Sequence, residues 1–282
     1  MKQIVIISGK GGTGKTVLTG SFAALAKRKV MVDCDVDAAD LHLLLYPSIK
    51  ERHGFRGGKT AKLDKKICTQ CSKCIASCRF DAIKDDFTID PISCEGCALC
   101  SRICPVGAIT MEENIAGEWF VSDTKYGHLV HAKLGIAEEN SGKLVAKVRQ
   151  VAKEIAEKEN LDYVIIDGPP GIGCPVIASL SGVDCALIVT EPTLSGLHDA
   201  KRVMEVAEHF KVPVKLVVNK YDLNNDMTGN IESFCNSKDI SVIGKLGFDR
   251  AIVESMVAGK TIVEHCPGMI KEEIVKIWND LK

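Results

Sequence analysis

The hydrophobic positions of this chain fall into short solid runs separated by longer, mixed stretches. Ile4-Val5-Ile6-Ile7, Val30-Met31-Val32, Tyr163-Val164-Ile165-Ile166, Ala186 to Thr190, Val214 to Val218 and Ile240 to Leu246 are each too short for a helix and mostly apolar, with Lys215, Ser241 and Lys245 as interruptions. Such runs are expected of strands buried on both faces. The stretches between them predict helices, over about Lys15 to Lys29, after Ser141 as an N-cap, and over Met269 to Leu281. Strands alternating with helices at regular intervals predict an α/β fold, a doubly wound and mostly parallel sheet whose ligand lies at the carboxyl ends of the strands.

The first run leads straight into Ser8-Gly9-Lys10-Gly11-Gly12-Thr13-Gly14-Lys15-Thr16. Strand, glycine loop and helix in that order make a P loop, whose backbone N–H groups cradle phosphate oxygens beside a helix N-terminus. Lys15 is then placed to reach the β- and γ-phosphates of ATP, and the Thr16 hydroxyl to ligate Mg2+. Two further strands end in acids. Val30–Val32 leads into Asp33-Cys34-Asp35, and Tyr163–Ile166 into Asp167-Gly168-Pro169-Pro170-Gly171. The second reads as a Walker B strand, with Asp167 on the Mg2+ shell, followed by a stiff switch loop. Asp40 reads as an N-cap for a helix over Leu41 to Leu45.

Between the two halves lies a repeat. Eight of the 13 cysteines form Cys68-x2-Cys71-x2-Cys74-x3-Cys78 and Cys94-x2-Cys97-x2-Cys100-x3-Cys104, offset by 26 residues throughout. A cysteine at every third position of a tight loop converges three thiolates on an iron–sulfur cubane, the fourth coming from farther away. Zinc ribbons use two pairs of ligands, and disulfide frameworks belong to small secreted chains. Neither fits this spacing. Phe80, Ala82 and Ile83 are echoed by Val106, Ala108 and Ile109.

This segment resembles the bacterial two-[4Fe–4S] ferredoxins. The resemblance implies that the fourth cysteine of each run serves the other cluster, so that Cys68, Cys71, Cys74 and Cys104 hold one [4Fe–4S] cluster and Cys94, Cys97, Cys100 and Cys78 the second. Arg79 stands where that family has a proline. Lys10, directly after Gly9, makes the phosphate loop resemble the deviant Walker A ATPases, which include MinD and ParA, the Mrp-type iron–sulfur carriers and the nitrogenase Fe protein. The whole chain is similar to MinD-superfamily P-loop NTPases with an inserted small α+β ferredoxin-like domain. The expected division is 1–58 and 116–282 for the ATPase and 59–115 for the insertion.

From that resemblance Gly9, Lys10, Gly11, Gly12, Thr13, Gly14, Lys15 and Thr16 bind nucleotide. Lys10 reaches the partner's nucleotide across an ATP-sandwich homodimer, Asp35 positions the attacking water, and Asp33 supports the metal shell. Asn219 reads adenine, with a turn residue after a strand as the plainer alternative. Gly247-Phe248-Asp249 closes over the base, placing Asp249 among the nucleotide-binding residues. Asp40 departs from the family's asparagine and Phe248 from its proline-containing loop.

Composition narrows the function classes. A net charge of −1 gives no nucleic-acid footprint. The C-terminal helix balances Lys271, Lys276 and Lys282 with Glu272, Glu273 and Asp280, unlike a basic membrane-surface helix. No apolar run approaches about 18 residues and no leader is recognised, so a cytoplasmic protein without stable membrane association is expected. Residues 50–66 carry seven Lys or Arg against Glu51 and Asp64 and read as an exposed crossover, with docking of an acidic redox partner as the alternative. His128 and His131 are a weak metal signal and read as packing or surface residues.

Three functions remain: an ATPase coupling its nucleotide state to electron transfer, a cluster assembly or carrier ATPase like Mrp, and a MinD- or ParA-like positioning ATPase. The redox partner or client protein is not specified by the sequence. Cys174 lies at the offset from Asp167 where the nitrogenase Fe protein has a bridging cysteine. However, no second cysteine lies between Cys104 and Cys174, and Gly171 replaces that protein's switch aspartate. Cys34, Cys185, Cys235 and Cys266 show no ligand spacing, and Mrp's C-terminal Cys-x-x-Cys is absent.

Overall fold

A computed structural model describes residues 1–135, 141–265 and 268–282. Cys266, considered above, therefore lies outside the described residues. In chain order the elements are β1 (Lys2–Ser8), α1 (Lys15–Leu25), β2 (Lys29–Asp33), α2 (Leu41–Leu45), β3 (Ser48–Leu63), α3 (Lys73–Ser77), α4 (Leu99–Ile103), β4 (Ile109–Thr124), β5 (Gly127–Leu134) and α5 (Ser141–Lys158). They continue with β6 (Tyr163–Pro170), α6 (Cys174–Leu180), β7 (Cys185–Thr190), α7 (Leu194–His209), β8 (Val214–Asn219), α8 (Asn225–Ser237), β9 (Ser241–Leu246), α9 (Arg250–Val257), α10 (Ile262–His265) and α11 (Met269–Leu281).

Nine strands form one sheet in the order β3-β4-β5-β2-β6-β1-β7-β8-β9. From β5 to β9 the registered pairs are parallel. β1 and β7 are neighbours, and the connection leaving β1 runs to β2 on one side while the connection leaving β7 runs to β8 on the other. That is the switch point where ligands bind in open α/β sheets.

Contacts divide the chain into two units. The first comprises Met1–His53, Trp119–Lys133 and Ser141–Lys282; the second comprises Gly54–Glu118 and a stretch starting at Leu134. The first unit's sheet is covered by helices whose apolar residues recur at helical spacing. In α5 these are Leu144, Val145, Val148, Ala152 and Ala156, and in α11 Ile270, Ile274, Ile277, Trp278 and Leu281. Trp278 lies between Phe22 of α1 and Tyr163 of β6, with ring centroids 5.3 Å from each.

Several boundaries differ from the sequence reading. α1 stops at Leu25 because Ala26 is extended and Arg28 adopts a positive φ of 49°, freeing Lys29 to start β2. Ser141 is the first residue of α5 rather than its cap. Residues 50–66 are mostly strand, not linker. β3 and β4 run in opposite directions, with Lys50 paired to Asp123 in the first unit, and Lys62 to Glu112 and Asp64 N–H to Ala108 O in the second. The expected limits 59–115 fall inside Gly54–Glu118 because this paired ribbon continues past them.

The second unit has its own small core of Ala61, Cys74, Ile83 and Ile109, with Leu63, Phe87, Ile89 and Met111 packed around it. Its two halves share a backbone. Positive φ occurs at Gln70, Ser72 and Asp81 (52°, 57° and 49°) and again at Gly96, Ala98 and Gly107 (63°, 61° and 65°). α3 and α4 follow at the same offset. Gly96 is also needed sterically, since a Cβ there would sit 2.2 Å from Lys59 O.

Candidate functional site

The phosphate loop is shaped by glycines with specific reasons to be glycine. Gly12 and Gly14 hold φ of 78° and 92°, where a side chain is strained. A Cβ on Gly9 would meet Asp199 Cβ at 2.4 Å, and one on Gly14 would meet Asn219 Nδ2 at 2.5 Å. α7 and the end of β8 therefore press directly on the loop. The Thr13 hydroxyl is buried with no hydrogen-bond partner, a polar group left for a ligand oxygen. Lys10 is exposed, and its carbonyl accepts from Ser8 Oγ at 2.7 Å.

Lys15 starts α1 and is only 6 % exposed. Its Nζ stands 3.8 Å from Asp35 Oδ2, which brings two of the expected catalytic groups together. Asp35 is pushed up to about 6, because burial penalises its charge more than Lys15 favours it.

Asp33 and Asp167 face each other where the pairing of β2 with β6 ends, in register and buried. Burial raises both, and their mutual repulsion raises Asp33 further. Asp167 Oδ2 accepts from Thr16 Oγ1 at 2.7 Å, and Oδ1 from Thr19 Oγ1 at 3.0 Å. Asp33 accepts the N–H groups of Asp35 (3.1 Å) and Leu41 (3.2 Å). Two adjacent buried carboxylates and a threonine hydroxyl form an all-oxygen donor set of the kind that suits Mg2+.

Asp40 stands at the N-cap position of α2 but makes no side-chain cap, and the Leu41 N–H donates to Asp33. The switch strand is longer than expected. β6 continues through Gly168, Pro169 and Pro170, with Pro170 in register with Ser8 and Gly171 N–H donating to Ser8 O at 2.9 Å. Asn219 donates from Nδ2 to Thr13 O at 2.8 Å, bracing the phosphate loop. Asp249 caps α9 by accepting Ala251 N–H at 2.8 Å. Asn219→Ala should destabilise the fold by about 1–2 kcal/mol through the lost buried bond, read as a lower urea midpoint at unchanged slope.

Sequence reasoning passed over Thr19 and Asp199. Thr19 lies one turn beyond Thr16 on the same helix face, so spacing could have found it. Asp199 is remote in sequence and carried no local signal.

In the second unit all eight repeat cysteines are free thiols. Cys68, Cys71, Cys74 and Cys104 line one shallow recess, and Cys78, Cys94, Cys97 and Cys100 line another. Among the described residues no three His, Cys, Asp or Glu side chains close on one point as a single ion requires. The four thiols of each set stand around a space instead. Backbone N–H groups face the sulfurs: Gln70 to Cys68 (3.4 Å), Ala108 to Cys104 (3.2 Å) and Ala61 to Cys94 (3.5 Å). Those around Val106 pull Cys104 down, while burial pushes Cys74 and Cys100 up.

The remaining cysteines differ. Cys34, Cys185 and Cys235 are buried thiols pushed up by burial, Cys235 to about 11. Cys174 is exposed at the start of α6. His131 is held down at about 4 by burial and bonds Ser122, while His128 pairs with Asp123 and Glu159; both are packing or surface residues.

The sequence profile of the CobQ/CobB/MinD/ParA nucleotide-binding domain matches residues 4–262. The chain belongs to this family. As a MinD/ParA-type P-loop ATPase it is 33% identical to an uncharacterised protein of Methanocaldococcus jannaschii, over 99% of this chain and 96% of the relative. It is 23% identical to the iron–sulfur cluster carrier protein of the same organism, over 89% of this chain and 68% of the relative. The septum site-determining protein MinD of Pyrococcus horikoshii, complexed with Mg-ADP, shares the fold with a TM-score of 0.62 at 17% identity, covering 100% of this chain and 96% of that one. In this MinD/ParA-type chain, no helix among the described residues is long and apolar enough to cross a membrane.

Proposed function

We propose that this ATPase couples its nucleotide state to electron transfer through two [4Fe–4S] clusters held by the second unit, as an ATP-dependent homodimer. The observation that carries the reading is the sorting of the eight cysteines into two recesses, each lined by three thiols of one run and the last thiol of the other. Four thiols per space, apolar neighbours such as Leu63, Phe87, Ile83 and Met111, and N–H groups aimed at the sulfurs are the surroundings an iron–sulfur cluster takes. Clusters of this kind supply one-electron oxidation and reduction.

The chain's own residues supply the nucleotide half. The loop from Gly9 to Thr16 cradles the phosphates of ATP, and Lys15 exchanges Asp35 for phosphate oxygens. Asp35, relieved of its ion pair, accepts the attacking water. Thr16, Asp167 and Asp33 are the groups that would hold Mg2+. Lys10, exposed and turned to no acid of its own chain among the described residues, is free to serve a partner's nucleotide. If Asp35 must be ionised, kcat/KM for ATP follows its titration. Raised to about 6, it is neutral below that pH, so the rate should fall about tenfold per unit of acidification below it. A profile flat from pH 7 to 5 would exclude Asp35 from proton acceptance.

A carrier or assembly ATPase is the second reading, favoured by the likeness to a protein named an iron–sulfur cluster carrier. Linkage separates the two. If nucleotide state and cluster reduction are coupled thermodynamically, reduction must change ATP affinity by the same factor that ATP changes the reduction equilibrium. ATP affinity is measured on dithionite-reduced and oxidised protein, together with potentials in ADP and in a non-hydrolysable analogue. A several-fold difference supports electron transfer; equal values favour the carrier.

A further inference from the structure

The two cysteine recesses have the same backbone but opposite charge. At equivalent positions of the repeat the first recess presents Thr69 and Lys73, the second Glu95 and Leu99. Lys73 and Glu95 are exposed, and neither has an ion-pair partner among the described residues. Arg79 and Arg102 line neither recess. Hydrogen bonding leans the same way: in the first recess Gln70 N–H faces Cys68 and the N–H groups of Val106 and Ala108 face Cys104, while in the second Ala61 N–H faces Cys94 and Ser101 N–H faces Cys100 without a comparable cluster on one sulfur.

A positive rim and donors aimed at sulfur both stabilise the extra negative charge of a reduced cluster. A negative rim opposes it. We infer that the two sites are not equivalent: an electron supplied to the chain settles first in the recess of Cys68, Cys71, Cys74 and Cys104, and the recess of Cys78, Cys94, Cys97 and Cys100 is the stronger reductant. Lys73 and Glu95 set this order. The inference rests on the cluster reading of the proposed function and adds to it an internal direction, downhill from the Glu95 side to the Lys73 side.

A unit charge at a solvated rim shifts such an equilibrium by about threefold. The two together should favour the first recess by about tenfold, or about 59 mV for one electron. The test is a potentiometric titration with dithionite of the full chain, purified anaerobically, read by electron paramagnetic resonance. Two one-electron waves are expected. Lys73→Leu should lower only the upper wave, Glu95→Thr should raise only the lower one, and the double variant should bring them together at unchanged iron content. Coincident waves in the unaltered chain, or a Lys73→Leu shift in the lower wave, would overturn the assignment while leaving the cluster reading intact. Protein without iron and labile sulfide would overturn both.

Discussion

Lys15→Ala should weaken ATP binding by at least a hundredfold, whereas Lys10→Ala should leave binding within a few-fold of normal and abolish turnover. The two lysines sit five residues apart on one loop but in different physical settings. Lys15 is buried at the start of α1, already desolvated, with Asp35 3.8 Å away as its counter-charge. Removing it takes a charge-assisted contact from the phosphates and leaves Asp35 buried without a cation, a loss of about 3–5 kcal/mol by analogy with truncated buried charge pairs. Lys10 is exposed and has no acid of its own chain to hold among the described residues. A cation delivered in trans to a transferring phosphoryl group is worth about 10³–10⁵ in rate, so its loss should appear in kcat. Fluorescent-nucleotide titration and phosphate release measure the two effects separately. Normal hydrolysis by Lys10→Ala at a concentration where the chain is dimeric would make that lysine an ordinary loop residue.

The second large effect concerns ligand exchange between the cysteine runs. Anaerobically purified chain should hold about eight irons with matching sulfide. Because each recess takes its fourth thiol from the other run, Cys71→Ser/Cys104→Ser strikes one site twice and should leave about four irons. Cys71→Ser/Cys78→Ser strikes both sites and should leave almost none. If each run ligated its own cluster, the second pair would be the milder one. Iron and sulfide analysis of these two variants decides between the arrangements whatever the electrons do, and tightly bound zinc without sulfide would remove both.

The parts of the architecture that could be read from sequence are those whose physics is local. Solid runs such as Ile4–Ile7 and Val164-Ile165-Ile166 announce strands buried on both faces, and Gly14-Lys15-Thr16 announces its own geometry. β3 did not announce itself. Its side chains are exposed along most of its length, so it lacks the alternation of a half-buried strand, and its pairing rests on backbone bonds and ion pairs such as Lys62–Glu112 with a strand far along the chain. Pro169 and Pro170 argued for a loop because proline lacks the N–H a central strand needs. They are tolerated because pairing with β2 ends at Asp33–Asp167, so the strand continues where only its β1 side is registered. Within the site, Asp33 was legible as an acid near Mg2+ but not as the acceptor of Leu41 N–H, and Asn219 not as a brace on Thr13, since both roles are set by tertiary neighbours.

The buried pair Asp33 and Asp167 also ties folding to ionic composition. Both carboxyls titrate higher in the native chain than when unfolded, so the native state gains from their protonation. Their contribution to stability is fully present below the ordinary carboxylate range and is lost as pH rises through the raised native values. At neutral pH a cation-free chain therefore carries a standing electrostatic penalty between β2 and β6. A divalent ion that binds only the native state offsets it by mass action. Free Mg2+ would then act as a folding ligand in its own right, making the stiffness of the sheet's carboxyl edge a function of metal concentration even before any nucleotide arrives.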